Sequence, residues 1–500
     1  MSAVLLLSLQ IGPALAGALL ALAFDAFDRR AAAVASAAIG LLISGGFGLW
    51  AGVTAAGATA FDVLRVGGAF STVPGLIAIL AAVALVGGWN EFVGRPGGGS
   101  SAALVALAAV ASAAVAQSFD LLMLIVALET AAAAGYALVA DARTRRADES
   151  AVKYFVQGAI ATGLLVMGLA VLVGGFVPSG SYGELAAVFQ QPSMPMAALA
   201  GALLILSALA FKSSLVPFHS WAPDAYESSR PEVAAFLASG PKLGAMGAMA
   251  LFMILVASGP LADRIIVIMA VIAGLSILVG SLGALRQRTY TRMLGYAGVA
   301  QAGYALIGAV VLNPAVAVFF AATYAIATTG TFLAATAFRQ VRPEWDGSIQ
   351  GLAGMGRRHR VLAVSVTLLL VSLAGIPPLL GFWGKFQVFA SAITLSGQMF
   401  LVSGNALMGW TYALLAVAGI VGSVVSLTYY GSVLQALFLD DSSLVEPNDE
   451  EGHDDPLEDT RSGASPAVGV VAFSALAVVV LGLVPLFLGA SSLVLAFTVR

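Results

Sequence analysis

Apolar stretches of about 20 residues, the length that crosses a bilayer core, recur from one end of this chain to the other, and nothing else constrains its fold as tightly. The polar segments between them are short. Charged residues make up 10% of the 500 positions and the mean hydropathy is +0.98, whereas soluble domains carry roughly 25% charge. The fold expected is all-α, a polytopic transmembrane helical bundle. A membrane β-barrel would show alternating segments of roughly ten residues, and none is visible. No large soluble domain exists to carry nucleotide or nucleic-acid chemistry, so no nucleic acid is expected as a partner. The chain has no cysteine, which removes disulfides and Cys-ligated iron–sulfur centres. His219, His359 and His453 are too scattered to form a metal-spacing motif.

About fourteen spans of bilayer length can be read, at 3–23, 31–53, 72–89, 101–118, 119–140, 154–177, 195–226, 232–257, 262–285, 293–312, 314–338, 361–394, 408–438 and 466–490. The first resembles a signal peptide, but it lacks a basic leading region, and Arg29 and Arg30 follow it. It is read as a retained helix with the N-terminus outside. Arginines test the count, because cytoplasmic connections collect positive charge. Sixteen of the nineteen arginines fall in alternate connections, among them Arg143, Arg145 and Arg146, then Arg286, Arg288 and Arg292, then Arg357, Arg358 and Arg360. This alternation places both termini on the outer face of a prokaryotic plasma membrane. The connection 439–465 is instead strongly acidic. It reads as a solvated cytoplasmic loop, with docking of a basic partner or adaptation to high salt as alternatives.

Lysine occurs only four times, at Lys153, Lys212, Lys242 and Lys385, and the last three lie inside apolar spans. An arginine stays charged, whereas a desolvated lysine can release and regain a proton. Burying each such charge costs at least ~3 kcal/mol on the insertion scale, so three of them argue for function. Lys242 and Glu129 each sit about 15 Å into their spans at the helical rise, near the midplane. Glu129 needs a lysine partner there. Lys153 starts its span beside Asp148 and Glu149, where snorkelling to the surface is the stronger reading.

The span 361–394 is too long for one crossing and is broken by Gly375-Ile-Pro377-Pro378, shortly before Lys385. The Lys212 span is broken by Pro217 and again at Pro223. Broken helices at membrane depth line polar cavities and mark ion sites. Lys212 and Lys385 are 173 residues apart, and the same offset carries Glu129 to residue 302, beside Gln301 and near Tyr304. Two inverted five-helix repeats containing broken helices are therefore expected, at 101–257 and 262–438. They would follow three N-terminal helices in 1–100 and precede the acidic loop 439–465 and a last helix in 466–500. Gly351-x-x-Gly354-x-Gly356 lies in a loop and does not fit a dinucleotide fingerprint.

At this point the residues resemble a known family. Lys212-Ser-Ser-Leu-Val-Pro217-Phe-His219-Ser-Trp-Ala-Pro-Asp-Ala-Tyr-Glu227, followed by Pro241-Lys242, resembles the signature of the antiporter-like membrane subunits of respiratory complex I (NADH-quinone oxidoreductase), closest to the subunit N type. Leu373-Ala-Gly-Ile-Pro-Pro-Leu-Leu-Gly-Phe-Trp-Gly-Lys385-Phe, Glu149-Ser-Ala-Val-Lys153-Tyr-Phe and Arg292-Met-Leu-Gly-Tyr-Ala-Gly-Val-Ala-Gln-Ala-Gly-Tyr304 fit the same type. A lysine at 385 suits the N and L types, and the chain ends without the lateral helix of the L type. Gln301 stands where many relatives carry histidine, and Gly295 and Gly298 replace commoner small residues. The related subunits of multisubunit sodium/proton antiporters are the alternative, as is a structural membrane-arm subunit without a proton path.

The resemblance implies a translocase subunit without a redox centre of its own. Quinone, NADH, FMN and iron–sulfur clusters would belong to partner subunits. The partners implied are other membrane-arm subunits, membrane lipid, protons and internal water. In the proton path so implied, Glu129 stabilises protonated Lys212, Lys242 relays, Gln301 and Tyr304 hold water between the halves, and Lys385 releases the proton. Lys153 and His219 are secondary candidates, and no metal or cofactor ligand is expected on this chain.

Overall fold

A computed structural model describes residues 2–192, 194–440 and 465–488. Among them α1 (Ala3–Ala26), α2 (Arg30–Thr54) and α3 (Ala69–Gly87) pack on one another, and each touches α5 (Gly98–Gln117), which follows the short α4 (Trp89–Val93). A small antiparallel hairpin, β1 (Ala58–Ala60) and β2 (Leu64–Val66), joins α2 to α3. Next come α6 (Leu121–Ala140), α7 (Arg145–Gly175), the short α8 (Tyr182–Phe189), α9 (Met196–Lys212) and α10 (Trp221–Ser228). After these lie α11 (Pro231–Leu237), α12 (Gly240–Val256), α13 (Ala262–Leu285), α14 (Tyr290–Val310) and α15 (Pro314–Val341). The chain continues through α16 (Met355–Arg358), α17 (Arg360–Ala374), α18 (Leu380–Gln398), α19 (Ala406–Phe438) and α20 (Pro466–Leu488).

Among the described residues, 13 helices are long and apolar enough to cross a membrane. The seventh expected span is not one of them, because it is divided into α9 and α10 around a non-helical connection that contains Pro217. The twelfth is divided into α17 and α18 at Gly375–Leu379. Both breaks fall where proline removes a backbone donor and obstructs the preceding turn. The sixth expected span, α7, begins at Arg145, well before the expected residue 154, so Lys153 lies within it. Thr144 sets that start, its hydroxyl accepting from Ala147 N at 3.1 Å, the usual way to satisfy a free helix-end donor. The acidic segment 441–464, the end of the last expected span and Arg500 lie outside the described residues.

The centre of the bundle is α14 and α15. Their apolar windows are each 94% buried, against 17% for Leu380–Ser403, as expected of helices that are apolar on every side. The central helices can approach closely because α14 is rich in small residues; a Cβ on Gly295 would sit 2.8 Å from Pro223 Cα of α10. Outer helices such as α1, α7 and α19 instead present Leu, Val, Ile and Phe outward. In a water-soluble protein those would form an exposed apolar surface; on a bundle of membrane-spanning helices they form its outer face. The packing order recurs in two groups. Helix α5 packs on α6 and α12, with α7 against α9; α13 packs on α14 and α19, with α15 against α17 and α18.

A third interruption, which the expected span 232–257 ran through, falls just before Pro241 at the start of α12. Between α11 and α12, Ala238 and Ser239 leave the helix, with Ser239 at φ −111°, ψ −74°. Lys242 therefore lies in the first turn of α12, directly after a break, rather than deep in one continuous helix. All three buried lysines sit next to interruptions.

Candidate functional site

The four residues expected to carry the chemistry fall on one internal line. At one end, Glu129 on α6 accepts a 2.7 Å hydrogen bond from Thr162 Oγ1 of α7. It shares with Lys212 a cavity of about 20 Å³, also lined by Tyr136, Ala161 and Ala208. That is room for about one water. Among the described residues Glu129 and Lys212 form no direct ion pair; they face each other across the cavity, so the expected partnership is through space.

Lys212 is the last residue of α9, where the chain breaks, and is buried. Its Nζ donates to Tyr154 Oη at a long 3.4 Å and lies 6.0 Å from that ring. Tyr154 stacks on Trp221 at 4.0 Å, Trp221 meets Tyr226 edge-on at 5.8 Å, and the Tyr226 ring lies 5.9 Å from Lys242 Nζ. Lys212 and Lys242 are thus joined by three packed aromatic rings.

Lys242 donates to the Gly298 carbonyl of α14 at 3.1 Å and lies 5.4 Å from the Tyr324 ring. Gly298 makes this possible, since a Cβ there would sit 2.8 Å from Tyr324 Oη and 3.2 Å from Lys242 Nζ. Gly298→Ala should assemble, because the atoms it would meet belong to side chains rather than to backbone. It should displace Lys242 from its carbonyl. Losing one charge-assisted bond of ~1.5 kcal/mol slows a step roughly tenfold, measurable as proton-gradient formation at matched quinone-reduction rate. An unchanged gradient would show that the bond is dispensable.

Tyr324, Gln301 and Lys385 line a further small cavity with Thr323 and Ser372. Gln301 Nε2 donates to Leu373 O at 3.0 Å and reaches Tyr430 Oη at 3.5 Å. It ties α14 to the end of α17. Lys385 on α18 donates to the Ala374 carbonyl at 2.9 Å and to Ser423 Oγ at 2.8 Å, and its Nζ lies 4.9 Å from the Tyr304 ring. Ala374 ends α17, and a terminal carbonyl with no helical donor is a natural acceptor for the ammonium. Lys212 precedes its break and Lys385 follows its own. An ammonium has three donors. Lys385 uses two short bonds, whereas Lys212 has one long one, so Lys212 is the least anchored of the three.

The remaining candidates lie off this line. Lys153 is half exposed, pairing with Glu149 at 2.8 Å and Asp224 at 3.4 Å. Arg292 holds Asp224 and Glu227 at 2.8 Å each, clamping α10 to α14. The Pro-Asp-x-Tyr-Glu motif thereby divides its work: its two acids face the surface clamp while Tyr226 turns toward Lys242. His219 is half-buried on the connection after α9, beside the Pro217 backbone.

Sequence reasoning missed the residues between the lysines, namely Thr162, Tyr154, Tyr226, Tyr324, Ser423 and Tyr430. One signal was available. Nine of the eleven tyrosines are buried, and a phenol inside an apolar span is a polar group without an apolar reason to be there.

This geometry agrees with the comparison to known proteins. The profile of the NADH:quinone oxidoreductase/Mrp antiporter transmembrane family fits residues 118–411, more than half the chain. The chain belongs to this NADH:quinone oxidoreductase/Mrp antiporter family. NADH-quinone oxidoreductase subunit N of Sphingopyxis alaskensis is 37% identical over 372 residues, 73% of this chain and 74% of that one. Subunit N of Rhizorhabdus wittichii is 32% identical over 477 residues, 93% of this chain and 92% of its own length. A chain in the structure of respiratory complex I from Thermus thermophilus superposes with a TM-score of 0.73 at 26% identity, covering 96% of this chain and 98% of that one. The family fold and its multi-pass membrane character therefore stand for this chain, as the motifs around Lys212 and Lys385 indicated. The NADH:quinone oxidoreductase/Mrp antiporter match includes Glu129 and every buried lysine of the line.

Proposed function

We propose that this chain is a proton-translocating membrane subunit, of the subunit N type, of an NADH:quinone oxidoreductase. The observation that carries this reading is the succession from the part-buried Glu129 through Lys212 and Lys242 to Lys385, linked by a shared cavity, packed rings and hydrogen bonds. Each lysine on it is 6% exposed or less, and each is held by an aromatic ring and a hydrogen bond that a lysine can leave without unfolding its helix. Glu129 stabilises the protonated form of Lys212. When Glu129 is neutralised or drawn away, the proton passes inward to Lys242, and Lys385 releases it or hands the charge on. Gln301 and Tyr304 position internal water between Lys242 and Lys385.

We assign residues 101–257 and 262–438 to the two inverted repeats, supported by their recurring packing order, and both termini to the outer face of a prokaryotic plasma membrane. The partners in this reading are the other membrane-arm subunits and lipid. Quinone, NADH, FMN and iron–sulfur clusters belong to those partners, with none on this chain. Moving one charge against 100 mV costs ~2.3 kcal/mol. Nothing in the line supplies that energy, so a partner's redox reaction drives transfer.

Lys242→Leu tests the reading in reconstituted vesicles. It keeps the apolar volume but cannot carry a proton. We expect the protons moved per electron pair to fall; an unchanged ratio in an assembled complex would favour a purely structural subunit. The family is shared with Mrp antiporters, so a second arm replaces sodium with choline. Translocation that stops without sodium would favour the antiporter reading.

A further inference from the structure

Two carboxyl side chains are buried among the described residues, Asp120 and Glu232. Asp120 is explained, because Oδ1 caps α6 by accepting from Leu122 N at 2.8 Å and Met123 N at 3.1 Å. Glu232 is not. It is 1% exposed, its Oε2 accepts from Thr336 Oγ1 of α15 at 3.3 Å, and its Oε1 has no partner. No cation lies within ion-pair distance of it among the described residues; Glu91, Arg95 and Arg230 act on it from further away. Space is made for it by Gly88 at the end of α3, where a Cβ would sit 2.6 Å from Glu232 Cβ. A carboxylate held this way, with one oxygen idle, has a position ready for a proton on Oε1.

Its place in the fold gives that proton a destination. Glu232 stands in the first turn of α11, next to the polar connection at Ser229 and Arg230 and ten residues before Lys242. The α11–α12 interruption lies between them. There Tyr226 Oη donates to the Leu237 carbonyl at 3.4 Å while its ring faces Lys242, and Ser239 Oγ, also fully buried, sits in the break itself. Thr336 and Ser229 add buried hydroxyls near the carboxyl.

We infer that Glu232 is a further proton-carrying residue, which takes a proton from water at the α10–α11 end of the bundle and passes it to Lys242 along the hydroxyls at the α11–α12 break. In the step, Glu232 as the acid gives its proton to the neutral Lys242 amine, leaving a carboxylate and an ammonium; water then reprotonates the carboxylate. The inference rests on the proton-path reading above and adds a feeder to it, supplied from the side assigned to the cytoplasm.

The test is Glu232→Gln in the assembled, reconstituted complex, with Lys242→Leu in parallel. Proton uptake during turnover should slow at least about tenfold in E232Q. Infrared difference spectra of wild type against E232Q should contain a carboxylic-acid C=O band that changes during turnover, which a purely structural carboxyl would not give. Normal uptake in E232Q with impaired Lys242→Leu overturns the role of Glu232 alone. Normal uptake in both overturns the underlying reading. If E232Q does not assemble, Glu232→Asp carries the test: a shifted band with slowed uptake supports the role, and normal uptake with no acid band overturns it.

Discussion

Lys212→Ala should assemble with its partners and yet lose this chain's contribution to proton translocation. Removing a buried ammonium relieves an insertion cost of at least ~3 kcal/mol, while emptying a buried site costs roughly 2–5 kcal/mol. The two nearly offset, so a functional loss cannot be put down to unfolding. Lys212 also has the weakest hold of the line, one 3.4 Å bond to Tyr154, so little packing depends on its charge. Reconstituted vesicles carrying the variant should move fewer protons per electron pair. Glu129→Ala should act in the same direction with a smaller effect, since the lysine remains and only its through-space partner is gone. A normal ratio for both variants would count against the pair.

Gly375→Val should be the most damaging single change at the second break. Gly375 ends α17 at φ +88°, a conformation that costs an L-residue roughly 1–2 kcal/mol. A Cβ there would also lie 2.6 Å from Lys385 Cδ, and such overpacking costs about 1–3 kcal/mol. The side chain that moves to relieve the clash is Lys385, whose Nζ then leaves the Ala374 carbonyl. We expect a lowered Tm for the complex and loss of translocation together. Gly375→Ala should show the same pattern more mildly. A valine variant with unchanged Tm and translocation would mean that the break does not depend on this glycine.

Much of this architecture is legible in the amino-acid sequence, for a definite reason. In a bilayer, every span must be apolar and every buried charge is costly, so the helices and Lys212, Lys242 and Lys385 stand out against their surroundings. Pro217, Pro377 and Pro378 announced two breaks because proline cannot continue a helix. The third break, at Ala238–Ser239, has its proline too, Pro241 in the first turn of α12, although the expected span 232–257 ran through it. What the sequence does not display is the link from Lys212 to Lys242, which runs through Tyr154, Trp221 and Tyr226, residues from α7 and α10 that meet only in the folded bundle. Lys153 shows the opposite limit. Its proximity to Glu149 was visible, but only the fold brings Asp224 to it and places it in a surface ion-pair network. Such pairs are typically worth 1 kcal/mol or less.

The central claim is that the buried lysines work by exchanging protons rather than by standing as fixed charges, and Lys385→Arg examines it most directly. Arginine keeps the positive charge and can still donate to the Ala374 carbonyl, but it does not release its proton. The measurement is protons moved per electron pair by the assembled complex in sealed vesicles, with Lys385→Met as the uncharged control. The account predicts that both variants lower the ratio to the same extent. A full ratio in Lys385→Arg, beside a lowered one in Lys385→Met, would contradict it and show that charge alone suffices.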